Sequence, residues 1–142
     1  MITKLYSVEG GTLEFNSSVP CLFATYEGFL TSENFRGQCE FGLTQITQKI
    51  SEYGKVAWIT DLRKSEIFND DDVKWVNEYW NPLAFANGLQ YQALIIPESI
   101  FASMNVEEYI AESVRRKDPL VINVFPDVES AATWCQEMLA RK

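Results

Sequence analysis

The polar residues best suited to chemistry follow one short apolar segment. Residues 56–59 are apolar, and Asp61, Arg63 and Ser65 come directly after them. A guanidinium group there can hold an anion, and a serine hydroxyl can accept a phosphoryl group. A structural alternative stays open, because Asp61 can instead pair with Arg63 or accept hydrogen bonds from loop amides.

A second set of candidate residues lies on the helix predicted beyond this loop. Three consecutive aspartates at 70–72 mark its start, where carboxylates cap free amides and meet the positive end of the helix dipole. Two aromatic residues four positions apart share one face of that helix, where they either join the core or form an apolar patch. The two sets together predict a ligand or partner surface of Asp61, Arg63, Ser65, Asp72, Trp75 and Tyr79.

Several kinds of catalytic site are excluded by residue type. The chain has no histidine, so it has neither a Ser-His-Asp nor a Cys-His catalytic unit. Neither of the glycine-rich phosphate-binding motifs occurs. Cys21, Cys39 and Cys135 are widely spaced, which indicates buried thiols in a reducing compartment and no metal site. We therefore expect no cofactor and no enzyme activity, with acid–base catalysis by Asp and Glu as the remaining enzymatic alternative.

Charge and hydropathy limit the partners. The formal net charge is −8, and the basic cluster at 115–117 stands alone. Nucleic acids and anionic membranes both require clustered Lys and Arg, so we expect neither as a partner. No apolar stretch reaches the roughly 18 residues of a membrane helix, and residues 1–11 do not resemble a signal peptide. These features predict a cytoplasmic protein without membrane insertion.

The elements that position the candidate residues alternate between strands and helices. Apolar segments at 21–26, 91–96 and 120–125 read as buried strands, as does 56–59. Helical patterns follow each of them, and a Gly-Gly pair at 10–11 indicates an N-terminal hairpin. The sequence thus predicts a single α/β domain spanning 1–142. We expect about five mostly parallel strands with an antiparallel N-terminal hairpin, covered by about four helices.

Three details of this prediction concern the site. Loops at 27–31, 61–72 and 97–104 should meet beyond the carboxyl ends of the strands, where open α/β sheets bind ligands. Pro82 should kink or end the second helix, with Asn81 capping a further short one. Residues 105–108 fit a capping box, which places a helix start there.

A set of spaced motifs resembles a known family from about residue 20 to the end. The motifs are Asp61-Leu62-Arg63, Asp72-x-x-Trp75, Glu78-x-Trp80-x-Pro82, Gly88, and Phe125-x-Asp127 through to Trp134. They are similar to the uncharacterised bacterial SpoIIAA-like (STAS/SEC14-like) domains. That resemblance implies a STAS-like α/β fold and a regulatory or ligand-binding role. Anti-sigma-factor antagonists of this type carry a phosphorylated serine at the helix start, where this chain has aspartates, so the resemblance does not extend to phosphorylation.

Two functions follow as expectations. The first is a non-catalytic regulatory or protein-interaction module of STAS-like type, acting through the predicted surface or as a homodimer. The alternative is a carrier of a small apolar ligand or lipid, which needs an enclosed pocket lined by Phe101, Met104, Trp75 or Tyr79. Fold analogy alone does not choose between them, because such folds host many functions.

Overall fold

A computed structural model describes residues 1–141. Strands β1 (Ile2–Val8), β2 (Gly11–Asn16) and β3 (Cys21–Gly28) form an antiparallel meander. Gly10 turns the first hairpin with φ at +84°, a conformation that glycine adopts without steric cost. The predicted N-terminal hairpin is therefore confirmed. The segment before its turn forms a full strand, so the sheet has six strands and not five.

The rest of the chain alternates helices with parallel strands. Along the chain these are α1 (Ser32–Tyr53), β4 (Ala57–Ser65), α2 (70–86), β5 (Tyr91–Ile95), α3 (Ile100–Arg115), β6 (Val121–Phe125) and α4 (Val128–Leu139). The strand order is β1-β2-β3-β4-β5-β6, with β3 to β6 parallel. This confirms the predicted mixed α/β sheet with four helices. No helix among residues 1–141 is long and apolar enough to cross a membrane.

The two faces of the sheet are covered unequally. Right-handed crossovers that all step in one direction place α1, α2 and α3 on the same face. Their apolar residues join Trp58, Leu62 and Leu94 of the strands in the larger core. Helix α4 covers the other face, where Ala131 and Cys135 pack in a smaller core. The face covered by three helices has the larger core and is therefore the one with room for a site between sheet and helices.

Helix α2 does not end at Pro82. Residues Asp70–Trp75 are α-helical, Val76–Trp80 form a π-helical turn, and Asn81–Ala86 continue as α-helix. Asn81 has helical dihedrals, and its N–H donates to the Val76 carbonyl five residues back, so it is not a cap. The wider π turn accommodates a proline without breaking the helix. The expectation that the helix ends at Pro82 was wrong, because the local change of helix type lets the helix continue through the proline.

One of the predicted helix starts was also wrong. Helix α3 begins at Ile100 with Ser99 as its cap, so residues 105–108 are helix interior and not a capping box. Thr31 caps α1 by accepting from the Asn34 amide. Asn105, which the capping-box pattern misassigned, instead binds the amide of Phe68, which is distant in sequence.

Glycine 42 allows α1 to approach the sheet closely. A Cβ there would lie 2.5 Å from Cη2 of the Trp58 ring, closer than van der Waals contact allows. We expect Gly42→Ala to lower the free energy of unfolding by about 1 to 3 kcal/mol through overpacking. Gly37→Ala in the same helix is the matched control, because its Cβ would meet only the Tyr6 hydroxyl, at 3.3 Å. Urea denaturation should show Gly37→Ala unchanged or stabilised by up to about 1 kcal/mol; equal losses in both variants would contradict the close approach.

Candidate functional site

The three predicted loops do meet at the carboxyl ends of the parallel strands. The Glu66 amide donates to the Gly28 carbonyl at 3.2 Å, and the Glu98 amide donates to the Arg63 carbonyl at 3.2 Å. The Ile96 amide donates to the Phe125 carbonyl at 3.0 Å. These bonds join the ends of four neighbouring strands, so the expected convergence is confirmed.

Three predicted site residues lie within strand β4 and not in a loop. Asp61 is buried and accepts hydrogen bonds from the Arg63 backbone amide, Nε and Nη2, at 3.1, 3.0 and 2.7 Å. Hydrogen bonding to Asp61 raises the pKa of Arg63, with Glu98 and Asp127 adding to the effect. Ser65 is buried, and its hydroxyl donates to the Leu62 carbonyl at 2.8 Å. Arg63 is thus already paired, and the Ser65 hydroxyl is not on the predicted surface.

Asp72 joins two helices. Its carboxylate accepts from the Ser32 hydroxyl at 2.8 Å and from Arg36 Nε at 2.9 Å, and the residue is 2% exposed. The helix cap is Asn69, whose side chain accepts from the Asp71 amide. A role as one of three equivalent capping aspartates was therefore wrong for Asp72. It connects α2 to the first turn of α1.

We expect Asp72→Ala to lower the free energy of unfolding by about 2 kcal/mol. Hydrogen bonds to charged groups contribute roughly 1.5 to 3 kcal/mol, and the half-exposed Arg36 can be rehydrated when its partner is lost. The neighbouring Asp71→Ala is the control, because Asp71 is exposed and only its backbone is used in bonding. Thermal or urea unfolding should leave that control within about 0.5 kcal/mol of wild type. Equal losses of unfolding free energy in the two variants would mean that Asp72 acts only through its charge at the helix start, and not through its bonds to Ser32 and Arg36.

Trp75 and Tyr79 form a stacked pair on α2, in which Trp75 packs against the larger core beside Phe35 and Tyr79 is the exposed member. Their ring centroids are 5.2 Å apart, and the Arg36 guanidinium lies 5.1 Å from the Trp75 ring. The Tyr79 hydroxyl donates to Glu40 of α1 at 3.4 Å, and Tyr79 remains 40% exposed. The six predicted residues therefore fall into two groups, one within β4 and one between α1 and α2. No hydrogen bond or ion pair among residues 1–141 joins the two groups.

A cavity of about 90 Å³, partly open to solvent, lies between the sheet and helices α1, α2 and α3. Most of its lining is apolar and comes from every neighbouring element, for example Phe35 of α1, Trp58 of β4 and Trp80 of α2. Phe68 and Val73 line it from the segment that enters α2. A concave apolar space with a few polar groups is the usual form of a small-molecule site.

The polar groups of this cavity belong to a buried network. The Tyr109 hydroxyl lies 2.6 Å from Gln92 Oε1 and 3.1 Å from Asn81 Oδ1, and it accepts from Asn81 Nδ2 at 2.8 Å. Thr60 Oγ1 accepts from the Trp58 indole at 2.9 Å. Asn105 Oδ1 accepts from the Phe68 amide at 2.7 Å, which ties the entry to α2 onto α3. Each of these residues therefore has a fixed orientation.

Three donor groups of this network stay unused. Within the described part of the chain, Gln92 Nε2, Asn105 Nδ2 and the Thr60 hydroxyl proton donate no hydrogen bond, although their acceptor atoms are occupied. All three residues line the cavity and are buried. Among residues 1–141 the buried side-chain atoms that lack any partner are Gln38 Oε1 and Asp118 Oδ2, so Gln92 Nε2 and Asn105 Nδ2 are accessible to solvent and not sealed in the core. The cavity therefore offers hydrogen-bond donors to whatever occupies it.

The ionisable groups that line the cavity are neutral at physiological pH. Burial raises the pKa of Cys39 to about 12 and raises those of Tyr26 and Tyr109 above their ordinary values. Thiol and phenol groups with such pKa values stay protonated near pH 7. The cavity thus carries neither a thiolate nucleophile nor a phenolate base.

Sequence reasoning missed this cavity and the residues that shape it. Gln92 within an apolar strand, and Asn77 and Asn81 on the apolar side of a helix, are polar residues in positions that a core pattern assigns to apolar ones. That mismatch was the available signal. Of the pocket residues predicted for a carrier, Trp75 and Tyr79 stack outside, and Phe101 and Met104 are exposed.

Comparison of the chain with protein-family models, curated proteins and solved structures gave no match. The resemblance to SpoIIAA-like domains therefore stays an expectation based on the motifs alone.

Proposed function

We propose that this chain is a non-catalytic module that binds a small, neutral, mostly apolar molecule in the cavity beneath α2. The observation that carries the proposal is the set of unused donors on Gln92, Asn105 and Thr60 within an otherwise apolar cavity. A ligand with an acceptor oxygen, such as a carbonyl, would satisfy donors that the protein leaves unpaired.

The absence of charge in the lining favours a neutral ligand. Burying an ionised group without a charged partner costs several kcal/mol, and no lysine, arginine or carboxylate among residues 1–141 lines the cavity. The protonated Cys39 and Tyr109 likewise offer no base or nucleophile. Binding without chemical conversion is the function that this lining supports.

The cavity size sets the class of ligand. A cavity of roughly 150 Å³ accepts benzene in a protein interior, so about 90 Å³ suits a smaller molecule or the head of a longer one. Exposed apolar side chains at Ile67, Phe101 and Met104 are next to, or one helical turn from, the Phe68–Asn105 hydrogen bond. An aliphatic ligand that enters past Phe68 would meet these side chains at the surface.

Paired probes test the proposal. We expect acetone to shift the indole N–H signals of Trp58 and Trp80 in ¹H–¹⁵N NMR spectra, and isobutene, which has a similar shape without the oxygen, to bind about 5- to 10-fold more weakly for want of one hydrogen bond. Gln92→Leu should reduce that preference, whereas Tyr79→Ala, outside the cavity, should keep it. Native mass spectrometry of the purified protein, before and after denaturation, tests for a bound natural ligand. Failure of both probes to shift either signal would reject the proposal.

A regulatory protein-interaction role through α2 is the second candidate. It is supported by the stacked Trp75–Tyr79 pair, which keeps Tyr79 half exposed on the outer side of the helix. The STAS-like type and bacterial origin implied by the motifs belong to this proposal, as does a cytoplasmic location, which suits three free thiols. Tyr79→Ala should weaken capture of any protein partner found for the wild type. Unchanged capture by Tyr79→Ala would remove this surface from consideration.

A further inference from the structure

The two edges of the sheet are protected differently. Edge strand β1 has an exposed lysine, Lys4, and a β-bulge between Lys4 and Tyr6. Both devices discourage another strand from pairing with an edge. Edge strand β6 has no charge, no proline and a regular register with β5. Its Val121 and Val124 are 47% and 39% exposed, so β6 is an apolar edge open to pairing.

The outward hydrogen-bonding groups of β6 can be assigned from its inner bonds. The Val121 amide donates to the Gln90 carbonyl and the Phe125 carbonyl accepts from the Ile96 amide, so these two residues face β5. By alternation, Ile122 and Val124 direct their amides and carbonyls away from the sheet. The Val124 amide accordingly binds the side chain of its neighbour, Asn123 Oδ1, at 2.9 Å.

Charge is divided between the two ends of β6. Arg115, Arg116 and Lys117 end helix α3 and precede the start of the strand. Glu112, which pairs with Arg115, and Asp118 leave one net positive charge at that end. At the other end, Asp127 follows the strand, and Asp127 and Glu98 are both close enough to Arg63 to raise its pKa. The strand itself is neutral and therefore runs from a basic end to an acidic end.

We propose that β6 pairs with β6 of a second copy of this chain, antiparallel and centred on Asn123. In that register Ile122 of one copy lies opposite Val124 of the other, and both residues direct their amides and carbonyls outward. On pairing, the Val124 amide exchanges its bond to Asn123 Oδ1 for one to the second copy. Such a pair exchanges two hydrogen bonds, and two-fold symmetry repeats it on the other side of the axis. The result is a continuous twelve-stranded sheet, built from the six strands of each copy.

Charge complementarity selects a second copy as the occupant. Antiparallel pairing places the basic end of one β6 beside the acidic end of the other, at both ends of the interface. Parallel pairing would instead bring like charges together. An apolar strand with opposite charges at its two ends is thus complementary to itself, which is the requirement for a symmetric dimer.

The test is the mass of the wild type in solution, by light scattering after size exclusion, from micromolar to millimolar concentration. We expect a dimer of twice the 16.3 kDa chain mass. Val124→Lys should raise the dimer dissociation constant about 10-fold or more, because the two added lysines would lie near each other across the two-fold axis and repel. Ile2→Lys, at an exposed apolar position of the protected edge β1, is the matched control and should change it less than about twofold.

Two further variants keep the result interpretable. Val124→Pro removes an outward amide that makes no bond to β5, so it should also favour the monomer without breaking the sheet. Circular dichroism checks that this variant folds. Arg116→Glu should weaken the dimer, and adding Glu98→Lys should restore it. A wild type that stays monomeric at every concentration, or a dimer that neither Val124 variant weakens, would overturn the proposal. None of these outcomes depends on a ligand in the cavity.

Discussion

Replacing Trp80 by alanine is expected to lower the free energy of unfolding by about 3 to 5 kcal/mol. Trp80 is 2% exposed, and its indole meets the edge of Trp58 with ring centroids 4.9 Å apart. Its Nε1 donates to the Cys39 carbonyl at 2.7 Å and so holds α2 against α1. Truncation removes a large buried aromatic surface and leaves a void. Urea denaturation followed by far-ultraviolet circular dichroism measures the loss.

Trp80→Phe is the control for this substitution. It keeps most of the ring and removes the indole donor, so the expected loss falls to about 1 to 2 kcal/mol. The alanine variant should also bind cyclopentane more tightly than wild type, because the void adds to the cavity that Trp80 lines. Equal losses in the two variants would show that the hydrogen bond, and not the packing, holds α2.

Raising the pH from 8 to 10 is expected to lower the free energy of unfolding by about 4 kcal/mol through the three thiols. Burial raises the pKa of Cys39 and Cys135 to about 12 and raises that of Cys21 further. Below about pH 9 the thiols are protonated in both states. Above it the unfolded chain loses these protons while the folded chain keeps them, so stability falls until the folded pKa is reached.

Cys21→Ala separates this effect from general alkaline denaturation. The variant lacks one of three equivalent contributions, so its loss between pH 8 and pH 10 should be about a third smaller than that of wild type. Native thiols should also react slowly with a disulfide reagent at pH 8, since all three are buried. Fast reaction of the folded protein, or an identical pH dependence in the variant, would contradict the assignment.

The fold was largely predictable because its signals are local. Apolar segments at 21–26 and 91–96 read as strands, and the spacing of Phe35, Cys39, Leu43 and Ile46 gives α1 one buried face. Side-chain periodicity follows directly from the geometry of helices and strands, so it survives in the sequence. The errors occurred where a local sequence signal conflicted with the local backbone conformation. Pro82 predicted a kink or an end of the helix, and the helix instead continues through a π turn.

The candidate site was less predictable because its partners are distant in sequence. Asp72 was grouped with two neighbouring aspartates, yet its partner Arg36 is 36 residues away. Asn105 was placed in a capping box, yet it binds the Phe68 amide. Gln92 and Tyr109 meet only after α3 folds back on the sheet. Residue type determines which hydrogen bonds a side chain can donate or accept, but only tertiary packing determines its partner.

By itself, the sequence determined the α/β class, the N-terminal hairpin, and the absence of histidine chemistry. Those conclusions depend on composition and short-range periodicity, which need no knowledge of tertiary contacts. The tertiary structure decided that Ser65 is buried, that Asp72 joins two helices, and that unused donors line a cavity beneath α2. Cavities and buried networks arise where separate elements meet, and their geometry is set by packing between residues far apart in the chain.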